Sequence, residues 1–204
     1  DVLRMSGVSG DSGDYSERIV MTSGQQLLHW IETREKNDKP CKVFVHSGSM
    51  YRGAQFREAG AREVDVCDGG LPRINLLAGV LQKKPDAGDF SPVTAIQVCN
   101  NGLNKRVKGI RARTRGISFP DAIQDSSYRT VLMQERTNCS NWEQWVSCPA
   151  NTFAIGTTLY FRDGSGALSS RDLLSGIELV CSGVEWATVQ PVQEVQLMQP
   201  MQTR

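Results

Sequence analysis

The chain has 204 residues, of which 39% are apolar, enough for one good-sized core or two small ones. Lys and Arg total 23 against 22 Asp and Glu, so a net charge of +1 provides no overall field to gather nucleic acid or an acidic membrane. No stretch approaches the roughly 20 apolar residues of a membrane-spanning helix, and the start lacks a basic-then-apolar leader, which suits a mature secreted protein and a cytosolic one alike.

Residues 1–16 are rich in Gly, Ser and Asp and read as a flexible N-terminal arm. Leu27, Leu28, Trp30 and Ile31 put apolar groups on one helical face, so 25–36 suits a short N-terminal helix, although Trp30 and Ile31 would serve a strand equally well. Residues 42–46 are β-rich, between Pro40 and Ser47-Gly48. Strand-like pieces follow at 63–67, 74–82, 95–99, 128–134, 153–162 and 176–181. Turn signals such as Asn100-Asn101-Gly102, Phe119-Pro120-Asp121 and Asp163-Gly164 separate them. Strands at this spacing, without long helical patterns between them, predict an all-β antiparallel sandwich, barrel or prism, with 17–188 as a single domain. Residues 189–204, rich in Gln and Met, form a tail or a closing strand. Pairing of that tail with a neighbour's sheet edge would make a homo-oligomer.

Six cysteines, Cys41, Cys67, Cys99, Cys139, Cys148 and Cys181, are even in number, and no CxxC pair occurs. His29 and His46 are the only histidines, so the pattern lacks the clustered ligands of a zinc site and predicts a disulfide framework without metal or cofactor. Asn138-Cys139-Ser140 fits a glycosylation sequon, with Asn138 as the acceptor. Sequon and cysteines together place the protein in an oxidising, extracellular compartment. Lys105, Arg106, Lys108, Arg111, Arg113 and Arg115 read as outward charges of a solvated hairpin, with a polyanion patch as the alternative. No aromatic is interleaved among them, which argues against base stacking and nucleic acid.

Two stretches share a plan: Cys, apolar strand, Asp/Gly loop, and a strand ending in Cys. They run from Cys67 to Cys99 and from Cys148 to Cys181, intervals of 32 and 33 residues. The matched intervals predict bonds Cys67–Cys99 and Cys148–Cys181, leaving Cys41 to pair with Cys139. Each such loop is worth roughly 3–4 kcal/mol in the chain-entropy model.

The second stretch reads Asn141-Trp-Glu-Gln-Trp-Val-Ser-Cys-Pro149, then Phe153-Ala-Ile-Gly-Thr-Thr-Leu-Tyr160, then Leu174-Ser-Gly-Ile-Glu-Leu-Val-Cys181. It resembles a repeat of the vitelline membrane outer layer protein 1 family. The resemblance is best over Trp142 to Cys181 and looser over Cys67 to Cys99. It implies a β-prism-like arrangement of antiparallel Greek-key sheets with pseudo-threefold repeats, in an extracellular protein of egg coats or secretions. Residues 1–60 would have to supply the strands of a third unit. Carbohydrate binding or oligosaccharide transfer is the activity implied.

Candidate binding residues follow. Trp142 and Trp145, flanking Glu143, could stack on sugar faces, while the resemblance packs at least one of them in the core or against a disulfide. Asp89 and Asp172, with Asp163, lie in loops after strands and could bind sugar hydroxyls or act as paired acids. Such Asp residues are also ordinary turn formers. No catalytic residue is assigned, and His46 reads as a structural histidine. The leading expectation is a secreted structural or storage protein of an extracellular coat or egg fluid, with glycans or other coat proteins as partners. A lectin-like module is the alternative, and a carbohydrate-active enzyme ranks below it.

Overall fold

The structure is a computed structural model that describes residues 3–21, 26–51, 55–67, 79–81, 83–86, 91–102, 105–164 and 172–186. Among the described residues every long element is a strand. β1 (Arg4–Gly10), β2 (Tyr15–Val20), β12 (Phe153–Arg162) and β13 (Leu173–Ser182) form one antiparallel sheet in the order β1-β13-β12-β2. That is a Greek-key order, and it joins the first two strands of the chain to the last two. β3 (Gln26–Lys36), β4 (Lys39–Tyr51) and β5 (Gln55–Asp65) form the second sheet. The third holds β6 (Gly79–Leu81), β7 (Val93–Asn100), β8 (Val107–Thr114) and β9 (Arg129–Arg136). Two short strands complete it on the β7 edge, β10 (Asn141–Trp142) and β11 (Val146–Ser147).

All three sheets turn apolar residues onto one core, which makes the arrangement β-prism-like. The core takes Ile19, Leu159 and Ile177 from the first sheet, Trp30 and Val45 from the second, and Ile96, Ile110 and Met133 from the third. Trp30 is fully buried there. Burial of each large apolar side chain contributes roughly 1.5–3 kcal/mol. Residues 26–65 supply a complete sheet, β3-β4-β5, that the cysteine spacing had not revealed, while β1 and β2 join the first sheet.

The expected helix at 25–36 is β3, paired along its length with β4. A bulge between Leu28 and Trp30 interrupts the alternation of sides. Residues 27–31 are therefore all buried, Leu27 in a smaller cluster and Leu28, Trp30 and Ile31 in the main one. This mimics helical spacing. The hairpin turns at Asn37 and Asp38, both with positive φ (51° and 63°), as a two-residue turn between twisted strands requires. The expected arm at 1–16 is likewise corrected: residues 4–10 are β1, hydrogen-bonded to β13. Residues 189–204, expected to be a tail or closing strand, lie outside the described residues.

All six cysteines are bonded, as Cys41–Cys67, Cys99–Cys139 and Cys148–Cys181. One expected pair holds and two are exchanged. Cys67 follows β5, beside β4, where Val66 N–H donates to Cys41 O at 2.8 Å, so its neighbour in space is Cys41. Cys99 on β7 meets the turn after β9 within the third sheet. Only Cys148–Cys181 links two sheets. Equal sequence intervals therefore did not mark equal structural units.

The second and third sheets are joined by a polar seam. Lys108, read as an outward charge, is 0% exposed. Its Nζ lies 2.6 Å from Glu35 Oε1 and 2.8 Å from Asp38 Oδ1, while Arg136 reaches Glu35 Oε2 at 2.6 Å. Gln134 and Thr33 bond reciprocally beside it, at 2.8 and 2.9 Å. Elsewhere on the second sheet, His46 Nε2 meets Glu32 Oε1 at 3.2 Å, and His29 packs edge-on against Phe56. Burial holds the His29 imidazole down at about 4, against partial compensation from Glu58.

Two outcomes follow. Glu35→Leu leaves Arg136 a buried cation without its carboxylate and Lys108 with Asp38 alone, and should cost about 3–5 kcal/mol, measured by urea unfolding. A loss near zero would show that the seam does not hold the sheets. For His29, the folded form binds its proton more weakly than the unfolded chain does, so stability is lost as pH falls. Between about pH 7 and about pH 5 the loss should be about 2 kcal/mol. It should shrink in His29→Gln, and an unchanged slope in that variant would contradict the assignment.

Candidate functional site

The first and last described strand pairs meet at one end of the Greek-key sheet. The 11–14 loop between β1 and β2 lies on the strands β12 and β13. Two glycines make this approach feasible. Gly10 and Gly13 have φ of 92° and 60°, and a Cβ on Gly13 would sit 2.3 Å from Phe161 O. Asp14 N–H donates to Phe161 O at 2.8 Å and Asp11 N–H to Ser175 O at 3.0 Å.

The carboxylates here are held by backbone amides. Asp11 Oδ1 accepts from Gly13 N–H at 2.9 Å and lies 3.1 Å from the Arg162 guanidinium. Asp14 Oδ2 accepts from Asp163 N–H at 2.8 Å. Asp172 Oδ1 accepts from Gly164 N–H at 3.0 Å, and its Oδ2 accepts from Tyr15 O–H. The Tyr15 ring stacks on Phe161 with centroids 5.4 Å apart. Partial burial pushes the Asp11 carboxyl up, but the Gly13 amide and Arg162 outweigh it and leave it below the usual range. Burial and the Asp172 carboxylate push the Tyr15 phenol up, so it stays a hydrogen-bond donor. Asp14 and Asp163 are exposed, and Tyr15 and Asp172 are half-buried. Among the described residues no group of three or more His, Cys, Asp or Glu is placed to hold a metal ion. Carboxylates locked in this way retain free lone pairs that can accept hydrogen bonds from a polyol.

Of the residues singled out in the sequence, Asp163 and Asp172 lie in this cradle and Asp89 lies outside the described residues. Asp11, Asp14 and Tyr15 were missed. Their signal was Gly10-Asp-Ser-Gly-Asp-Tyr15, a glycine-punctuated turn that composition alone made look like an arm. Asn138 is exposed in the turn after β9, and its Nδ2 donates to Asp38 Oδ1 at 3.0 Å.

Trp142 and Trp145 lie elsewhere, on the outer face of the third sheet. Arg111 and Arg113 alternate outward on β8 while Ile110 and Ala112 face the core. The Arg111 guanidinium lies 4.1 Å from the Trp142 ring centroid and 5.5 Å from that of Trp145. Arg113 lies 4.2 Å from Trp145 and 4.5 Å from Tyr128, and Arg115 is 5.4 Å from Tyr128. Gln97 ties the row together: its Oε1 accepts from Arg111 Nε and its Nε2 donates to Glu143 O. On its other side Trp142 packs beside Gly109, where an added Cβ would meet it at 3.0 Å and Cys99 Cβ at 2.9 Å. The aromatics absent from the basic run in sequence are thus interleaved with it in space.

No protein-family model matches the chain, and no curated protein matches it. Among solved structures, the V. cholerae biofilm matrix protein Bap1 aligns with 89% of this chain at 10% identity and a TM-score of 0.41, and the chain spans 24% of that protein. Calystegia sepium agglutinin aligns with 90% of this chain and 98% of its own length, at 9% identity and a TM-score of 0.41.

Proposed function

We propose that the protein is a secreted glycan-binding module whose cradle at Asp11, Asp14, Tyr15, Asp163 and Asp172 takes a neutral saccharide. One observation carries this reading: carboxylates from the β1–β2 loop and from Asp172 before β13 are fixed by backbone amides around a half-buried tyrosine ring. Vicinal sugar hydroxyls are donors that suit such acceptors, and the C–H groups of a sugar suit an aromatic ring face. The local excess of carboxylates disfavours an anionic ligand at this end. Arg162 and Lys105, 3.1 and 4.0 Å from Asp11, remain as donors to ring or hydroxyl oxygens.

Three disulfides support an oxidising compartment. Exposure of Asn138 supports use of its sequon. The resemblance of Trp142 to Cys181 to the vitelline membrane outer layer repeat belongs to the same proposal. A coat component that holds glycans would be structural and lectin-like at once.

The test is a neutral-glycan array probed with wild type, Asp14→Asn and Asp172→Asn. Wild type should bind at least one neutral oligosaccharide. Each variant should lose about tenfold or more in affinity, as expected for a charge-assisted hydrogen bond, with an unchanged unfolding midpoint in the exposed Asp14→Asn. Silence of the wild type across neutral glycans, or full binding by both variants, would sink the proposal.

A further inference from the structure

The outer face of the third sheet has a different chemistry, and its case does not depend on the cradle. Arg111, Arg113 and Arg115 project on one side of a single extended segment, about 7 Å apart from one to the next. Among the described residues none of the three guanidiniums has a carboxylate within ion-pair distance. Most other cationic side chains of the molecule that are buried or half-buried do: Arg106, Lys108, Arg136 and Arg162 all contact acids. Arg111 and Arg115 are braced by neutral oxygens, Gln97 Oε1 for the first and the carbonyls of Asp125 and Ser126, at 2.9 and 2.7 Å, for the second. Arg113 Nε is buried with no hydrogen-bond partner. Stacking on the three aromatic rings holds the guanidinium planes without neutralising them.

Beside this row lies a cavity of about 230 Å³, with Arg113 and Arg115 in its wall and Thr94, Gln124 and Ser147 as neutral polar neighbours. It has room for one sulfate or carboxylate group with water around it. The fork of a guanidinium matches either group.

We propose that this face is a second binding site, for an anionic polysaccharide. One acidic group of the polymer enters the Arg113–Arg115 cavity and a neighbouring one meets Arg111 along the strand. A nucleic acid fits less well. The faces of Trp145 and Trp142 that point at the row are covered by guanidinium groups, so bases lack stacking platforms there. The disulfide framework also places the face where acidic polysaccharides, rather than nucleic acids, are abundant. Charge complementarity commits the site to a polyanion, and the regular spacing on an extended strand commits it to a linear one.

The experiment measures binding of the whole chain to immobilised heparin and to immobilised polygalacturonate at low ionic strength, with neutral dextran in excess as competitor. Wild type should bind at least one of the two, with affinity that falls steeply as salt rises and is untouched by dextran. Heparin alone assigns a sulfate to the cavity, and polygalacturonate alone assigns a carboxylate. Arg113→Gln/Arg115→Gln should weaken binding by about tenfold or more. Arg34→Gln/Arg57→Gln removes two arginines that also stack on aromatics, but on the second sheet, and should leave binding unchanged. If the double variant fails to fold, Arg115→Gln alone, at the rim over exposed Tyr128, should still weaken binding several-fold. Absence of wild-type binding to both polymers, equal weakening in the second-sheet control, or equally tight binding of a single-stranded DNA oligonucleotide would each overturn the proposal. None of these results bears on the neutral-glycan cradle, which Asp14→Asn tests separately.

Discussion

Pairing of the first two strands of the chain with its last two is the constraint on which the rest depends. β1 lies on β13 and β2 on β12, so the Greek-key sheet closes only when the two termini of the domain have met. That closure supplies Ile19, Leu159, Phe161 and Ile177 to the common core. It also brings Asp11, Asp14 and Tyr15 against Arg162, Gly164 and Asp172. The contacts are long-range, which makes the sheet slow to nucleate relative to the β3–β4 hairpin. The Cys148–Cys181 bond works toward the same end by tying β13 to the segment beside β7.

The other two sheets meet by a different device. No backbone ladder joins β3 to β9. Instead Thr33 and Gln134 exchange hydrogen bonds, Met133 Sδ accepts from Ile31 N–H at 3.3 Å, and Glu35 sits between Lys108 and Arg136. Burial of these charges is expensive, but each one is paired, and a mispaired register would strand at least one of them. The seam therefore sets how the second sheet is seated on the third. It also explains why β8 can carry charge on both sides. Lys108 is neutralised inward by acids of the second sheet, while Arg111 and Arg113 remain outward with rings rather than carboxylates against them.

Much of the fold was legible because turn chemistry and strand alternation are local. Asn100-Asn-Gly102 and Asp163-Gly164 marked real strand ends, and β7, β12 and β13 fall where their apolar runs predicted. Three features were not legible, each for a physical reason. The bulge at Leu28–Trp30 turned a strand into a helix-like pattern. The glycines around Asp11 looked like flexibility, although two of them are required by close backbone approach to Phe161 and Ser175. Cysteine intervals report separation along the chain, whereas Cys41–Cys67 and Cys99–Cys139 reflect adjacency within a sheet. The site residues follow the same division. Asp172 was found because it stands in a loop after a strand, but its partner Tyr15 is 157 residues away. Trp142 and Trp145 were noticed as aromatics, yet their guanidinium neighbours come from a strand some thirty positions earlier, and no local pattern encodes that meeting.

The two proposals give opposite ligand chemistry to two parts of one scaffold: acceptor-rich loops for hydroxyls, and an acid-free cationic row for sulfate or carboxylate. In the proposed function, the union of the first and last described strand pairs builds the hydroxyl-binding cradle. The most direct test of that role is amide chemical-shift mapping by NMR during titration with a neutral oligosaccharide that the protein binds. The largest shifts should fall on Gly13, Tyr15, Asp163 and Gly164, from the β1–β2 loop and the end of β12 together. Shifts confined to β8 and β10, or to only one of those two segments, would contradict it.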